Sequence, residues 1–135
     1  MIQKNDEKTI NVLCVDTDSI WLSMVEKAVR DTINVSNLPG CQIEAYRDIH
    51  SAFSRVKERR YDLMISEHME GGWLLLYDAA TRTDQWMFCL LTGNEDVINS
   101  KDLKEDTNIN IYDKKIKGIQ YTLASDFVQR YKAHG

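Results

Sequence analysis

The sequence is short of the residues that mark most specialised functions. One proline and six glycines in 135 residues are too few for a linker, a collagen-like repeat or a low-complexity chain. Three cysteines, Cys14, Cys41 and Cys89, stand far apart without a CxxC pair, and two lie inside apolar runs; buried thiols in a reducing compartment are expected. His50, His68 and His134 share no ligand spacing, so a zinc site lacks its usual material. There is no GxxxxGK[ST] or GxGxxG phosphate loop. The longest uncharged apolar run, Trp86 to Leu91, falls far short of the roughly 18 residues a membrane helix needs. Met1 to Thr9 is polar and has no signal-peptide core, so a cytoplasmic location is expected. A basic excess is missing too: seventeen Lys+Arg against twenty-one Asp+Glu give a net charge of -4, which argues against direct binding to nucleic acid or an acidic membrane surface.

What is present suits one globular domain, expected over residues 10–133 behind a polar tail at 1–9, with 43% hydrophobic and 28% charged residues. Short β-branched runs at Ile10 to Val15, Gln42 to Tyr46, Tyr61 to Ser66, Trp86 to Thr92 and Ile109 to Tyr112 predict five strands. Helical spacing separates them. Ile20, Met24 and Ala28, with Trp21, Val25 and Val29 beside them, predict the first helix; Ile49, Ala52, Phe53 and Val56 behind a cap at Asp48 predict the second. Lys57, Arg59 and Arg60 read as its solvated basic end. Trp73 to Thr83 predicts a third helix and Asn94 to Glu105 a polar fourth. The fifth runs from Gly118 to Lys132, with Ile119, Leu123, Phe127 and Tyr131 every four residues and Ala124 and Val128 completing the stripe.

Strict β/α alternation predicts an α/β fold of three layers, a parallel sheet with helices on both faces. In such sheets reactive groups collect beyond the carboxyl ends of the strands. Those ends read Asp16-Thr17-Asp18-Ser19 after the first strand, Ser66-Glu67 after the third, Thr92-Gly93 after the fourth and Asp113-Lys114-Lys115 after the fifth. Neighbouring carboxylates suit Mg²⁺, a hydroxyl suits a phosphoryl oxygen, and an ammonium neutralises the charge built up there. Each residue also has a structural reading: Asp18 or Ser19 as a helix cap, Thr92 as a turn residue, Lys114 or Lys115 as an exposed charge.

Taken together, these positions resemble the receiver domain of bacterial response regulators along nearly the whole chain. The resemblance implies the (βα)5 flavodoxin-like fold with strand order 2-1-3-4-5. It puts Asp16 at the first acid of the pocket, Glu67 at the phosphoacceptor position, Thr92 at the switch hydroxyl and Lys114 at the strand-five lysine. Several positions depart from the family pattern. Glu67 replaces an aspartate, and its extra methylene upsets the alignment an in-line transfer needs. Thr17 replaces the second acid, so a hard cation loses a charged ligand unless Asp18 supplies one. The segment Glu67 to Gly72 is shorter than the family loop and lacks its proline, which displaces the backbone carbonyl expected near Met69. Lys115 stands where proline usually follows the lysine, and Ile111 takes the aromatic switch position. Aligning Lys115 instead would restore Tyr112 there but put Asp113 at an apolar position, so Lys114 is preferred.

The expected function is therefore that of a degenerate receiver: a non-enzymatic signalling module acting through phosphorylation-independent protein contacts, with Mg²⁺ bound weakly or not at all. The acidic pocket is Asp16, Thr17 and Asp18, and Glu67 pairs with Lys114. Two alternatives are a working Mg²⁺-dependent phosphoacceptor and a haloacid-dehalogenase-type phosphatase, since Asp16 to Ser19 also resembles that family's DxDx[TV] motif. Against the latter, only Asp126 follows Lys114 as a further acid, inside the helical stripe. The partner is expected to be a regulatory protein, an attached output domain or a second copy. It is expected to meet the face of the fourth helix, fifth strand and fifth helix, with Tyr112, Lys117 and Tyr121 as contacts.

Overall fold

The computed structural model describes residues 9–80, 86–105 and 108–134. Five parallel strands, β1 (Ile10–Val15), β2 (Cys41–Tyr46), β3 (Leu63–Ser66), β4 (Met87–Thr92) and β5 (Ile109–Asp113), form one sheet in the order β2-β1-β3-β4-β5. Between and after them lie α1 (Ser19–Val35), α2 (Ile49–Glu58), α3 (Trp73–Ala79), the short α4 (Glu95–Ile98) and α5 (Lys101–Glu105), and α6 (Ile119–His134). This is the expected three-layer flavodoxin-like arrangement. Both faces of the central strands are covered, so all six residues of β4 and all four of β3 are buried, and their sequences are continuous apolar runs rather than alternations.

Alternate residues feed two cores. Val12, Cys14, Ile65, Cys89 and Leu91 pack under α1 and α6 against Leu22, Val25, Val29, Leu123 and Phe127. Leu13, Val15, Met64, Phe88 and Leu90 pack on the other face against Ala52 and Val56 of α2 and Trp73 and Leu76 of α3. There Trp73, Tyr77, Trp86 and Phe88 form an aromatic cluster with ring centroids 5.3 to 6.0 Å apart. Cys14 and Cys89 are buried, Cys41 is half-buried, and all three thiols are free. Among the described residues no helix is long and apolar enough to cross a membrane.

Local chemistry sets the element ends. Asp18 caps α1, its Oδ1 accepting the Ile20 N–H at 2.8 Å, and Asp48 caps α2 by accepting from Ser51 at 2.8 Å. The expected fourth helix is two short ones. Ser100 Oγ accepts the N–H of Leu103, and Asn99 and Ser100 favour caps over helix interior, so the segment breaks there. The end of the expected third helix, residues 81–83, and most of the polar tail lie outside the described residues.

Two further expectations are corrected. In α1 the core stripe is Leu22, Val25, Ala28, Val29 and Ile33, whereas Ile20 is 68% and Met24 37% exposed. Arg59 is not a solvated charge: it pairs with Glu44 at 2.9 Å and with Asn11 at 2.8 Å. Glu44 also accepts from Arg55 at 3.0 Å, Tyr46 at 3.0 Å and Tyr61 at 2.9 Å. Burial works to raise the Glu44 pKa, but these donors outweigh it and hold the carboxyl below its ordinary value. The cluster fastens α2 to the edge strand β2.

Candidate functional site

Parallel register brings the ends of β1, β3, β4 and β5 to one edge, because Val15 pairs with Ser66, Ser66 with Leu90 and Thr92 with Asp113. The residues that follow must converge there. Asp16 is fixed by its own N–H, which donates to the Tyr46 carbonyl at 3.1 Å, and the N–H of Glu67 donates to the Val15 carbonyl at 2.9 Å. The N–H of Lys114 donates to the Thr92 carbonyl at 2.9 Å.

The ammonium of Lys114 lies 2.7 Å from Asp16 Oδ2 and 3.3 Å from Glu67 Oε2. It also stands 5.1 Å from the centre of the Trp21 ring, a cation–π contact. The other oxygen of Glu67 accepts the Thr17 hydroxyl at 3.1 Å and, more weakly, the Thr17 N–H at 3.5 Å. Both carboxylate oxygens of Glu67 are thus engaged by the protein itself. Burial works to raise the Glu67 pKa, but the Lys114 charge, with hydrogen bonds from Lys114 and Thr17, outweighs it and holds the carboxyl below its ordinary value. Asp16, only 4% exposed, goes the other way: burial first, and the Glu67 charge in addition, push it up against the pull of Lys114.

Asp16, Thr17, Glu67 and Lys114 are brought into contact as the sequence arranges them. Thr92 lines an open cleft of about 670 Å³ together with Thr17, Glu67 and Lys114, but its Oγ1 accepts the Asn94 N–H at 3.1 Å. One oxygen of the Asp18 carboxylate is taken by the α1 cap. Of the two lysines it is Lys114 that enters the site. Lys115 turns away to Asp113 at 3.2 Å and the Gly93 carbonyl at 3.3 Å.

The loop after Glu67 is a left-handed turn, with φ of 52° at Met69, 54° at Glu70 and 91° at Gly71. Only glycine adopts such values without cost. The Met69 carbonyl accepts the Gly72 N–H at 2.9 Å, which turns it into the loop. A Cβ at Gly72 would lie 3.1 Å from that same oxygen, so the turn is also tight. Mg²⁺ demands near-octahedral oxygen ligation. Among the described residues no three His, Cys, Asp or Glu side chains converge as a ligand set. One Asp16 oxygen is occupied by Lys114 and the other accepts the Asp18 N–H at 2.9 Å.

The expected contact residues separate. Tyr112 is a core residue, 8% exposed, whose hydroxyl donates to Asp126 at 2.8 Å, so its ring is not offered to a partner. That bond also places Asp126, the acid a phosphatase reading would need, on α6 against β5 instead of in the cleft. Tyr121 is 45% exposed but lies beside α1, near enough to Lys27 to help raise its pKa behind the larger effect of Asp31. Lys117 is exposed in the turn before α6. Sequence reasoning missed Trp21 and Arg47, whose Nε donates to the Thr17 carbonyl at 3.0 Å. Both contacts cross between elements and leave no local pattern.

No protein-family model matches the sequence, and no curated protein matches it significantly. Solved structures do match. A signal receiver domain of an HD domain-containing protein from Pseudomonas fluorescens Pf-5 superposes with a TM-score of 0.65 at 21% identity, over 95% of this chain and 100% of that one. A response regulator receiver domain protein from Clostridium thermocellum gives 0.61 at 14% identity, over 93% and 99%. A sensor protein from Polaromonas sp. JS666 gives 0.65 at 13% identity, over 93% and 98%. The chain has the receiver fold.

Proposed function

We propose that this domain is a receiver-like signalling module of a two-component-type pathway whose output does not depend on phosphoryl transfer. The observation that carries the reading is the Glu67 carboxylate, held between the Lys114 ammonium and the Thr17 hydroxyl. A receiver switches when a new phosphoryl group recruits a hydroxyl and a lysine. Here the lysine is already engaged by a resident acid, and the Thr92 oxygen already accepts from the following turn. Glu67 carries about one negative charge against the roughly 1.5 to 2 of a phosphoryl group, so it fixes one conformation without reproducing the full phosphorylated state.

The module is a binding protein and not an enzyme, and it acts on a regulatory protein or an attached output domain, not on nucleic acid or membrane. Mg²⁺ binds weakly or not at all, because Thr17 brings no charge, Asp18 is committed to a cap and Lys114 already neutralises Asp16. The exposed Lys117 turn beside β5 is the face for the regulatory partner. The test is incubation of the wild-type chain with acetyl phosphate and Mg²⁺, followed by intact mass and site mapping. The expected result is no adduct at Glu67. An adduct mapped to Glu67 that changes the amide spectrum would overturn the reading in favour of a working phosphoacceptor.

A further inference from the structure

Trp21 follows the capping Asp18 by three residues and lies in the first turn of α1. It is half-buried and packs on the core under α1 and α6, with its ring centre 5.1 Å from the Lys114 ammonium. Two spaces adjoin the site. The open cleft is lined by Thr17, Glu67, Thr92 and Lys114. A small inner space of about 10 Å³, with room for one water molecule at most, is lined by Asp16, Trp21, Val25, Glu67 and Leu91. Glu67 borders both, whereas Trp21 borders only the inner one, so the indole meets the ammonium from the side away from the cleft.

We infer that Trp21 is a positioning residue of this site: its indole keeps the Lys114 ammonium on Asp16 and Glu67 and out of the open cleft. The inference rests on the reading of Glu67 as held by Lys114, and names what holds Lys114 in turn. A lysine is a point charge on a flexible four-carbon stem, so it stays inward only where something retains it. Its ammonium carries three N–H donors. Asp16 Oδ2 at 2.7 Å and Glu67 Oε2 at 3.3 Å account for two, and the second contact is long. The indole face offers the cation a third attraction, and indole is the best of the aromatic rings for it. With the Lys114 side chain only 13% exposed, little water is left to screen that attraction. A desolvated contact of this kind shifts a population by up to roughly thirtyfold.

Lys115 supplies an internal comparison. It has two carboxylates of its own, Asp113 at 3.2 Å and Glu95 at 4.0 Å, yet its side chain is 51% exposed. The neighbouring lysine that also meets an indole is the buried one. Packing alone would ask of position 21 only an apolar side chain of sufficient size; holding a cation asks for a π face. The two roles separate in Trp21→Leu, which keeps apolar surface and loses the ring, and Trp21→Phe, which keeps a ring.

NMR of the Lys114 side chain in the full chain tests the inference. In wild type its Hε resonances are expected to be displaced upfield by the indole ring current, with nuclear Overhauser contacts to the ring, and its ammonium hydrogens to exchange slowly enough to be seen. Trp21→Leu is expected to speed that exchange by at least about tenfold while circular dichroism shows it folded, and Trp21→Phe to restore most of the protection. A folded Trp21→Leu with unchanged Lys114 exchange overturns the inference, as does a Trp21→Phe that exchanges as fast as Trp21→Leu. Should Trp21→Leu fail to fold, the wild-type spectrum decides: the ring-current displacement and the contacts to the indole support the inference, and their absence overturns it. Phosphoryl uptake is a separate matter. An adduct at Glu67 strikes the reading of the site, whereas unchanged exchange without an adduct strikes the role of Trp21 alone.

Discussion

Thr17 and Glu67, fifty residues apart in sequence, meet at 3.1 Å through hydroxyl and carboxylate. The parallel register of β1 and β3, with Val15 opposite Ser66, is what brings them together. An acid at position 17 would set a negative charge against the Glu67 carboxylate, whereas threonine supplies a donor. The two side chains form one hydrogen-bonded pair.

Coupling between these residues is measurable. In a double-mutant cycle of Thr17→Val and Glu67→Gln, followed by urea unfolding, a coupling energy of about 1 kcal/mol is expected. A coupling of zero would show that the hydrogen bond contributes nothing.

Removing the shared cation is costlier. Lys114→Met leaves Asp16 buried beside a second carboxylate with no cation, and a loss of about 3–5 kcal/mol in unfolding free energy is expected. Adding Asp16→Asn to that variant restores most of the loss, since Asp16 is the deeper acid, with a side chain 6% exposed against 28% for Glu67. Equal instability of the single and double variants would contradict the assignment.

The loop after Glu67 stores strain at two residues that are not glycine. Replacing Glu70, at φ 54°, by glycine is expected to raise stability by about 0.5–1 kcal/mol in chemical denaturation. Gly71→Ala, at φ 91°, is expected to lower it by more than about 1 kcal/mol.

Acid dependence has opposite signs at the two carboxylates. Glu67 is held below its ordinary 4.5 because Lys114 and Thr17 outweigh burial. Its contribution is therefore present above about pH 4.5 and lost as pH falls through the lowered folded value. Asp16 is pushed above its ordinary 3.8, chiefly by burial, so its contribution is full below that pH and lost as pH rises through the raised value. The stability gap between wild type and Glu67→Gln should narrow as pH falls below about 4.5. A gap that widens there would contradict the direction given for Glu67.

Most of the fold was legible because burial on both faces of a parallel sheet writes strands as continuous apolar runs, such as Met87 to Leu91. The strand ends then offered a short set of candidates, from which the family resemblance picked Asp16, Glu67, Thr92 and Lys114. Helix faces were less legible. Ile20 and Met24 share the helical spacing of core residues, and spacing does not say which of two apolar stripes the sheet takes. Contacts such as Trp21 with Lys114, or Arg59 with Glu44, join residues from separate elements and have no periodic signature. The split at Asn99 and Ser100 was written in two cap-forming residues, a signal that a polar window obscured. Thr17 reads as the loss of a ligand until the geometry shows what it donates to.

The central claim is that the protein's own donors occupy Glu67, and the ionisation of that one carboxyl tests it most directly. Carbon-13 NMR titration of the Glu67 side chain, in wild type and Thr17→Val, with and without millimolar Mg²⁺, is the measurement. The account expects a wild-type value below the ordinary 4.5, a rise in Thr17→Val and no change on adding Mg²⁺. A value at or above 4.5, or one that falls when Mg²⁺ is added, would contradict it.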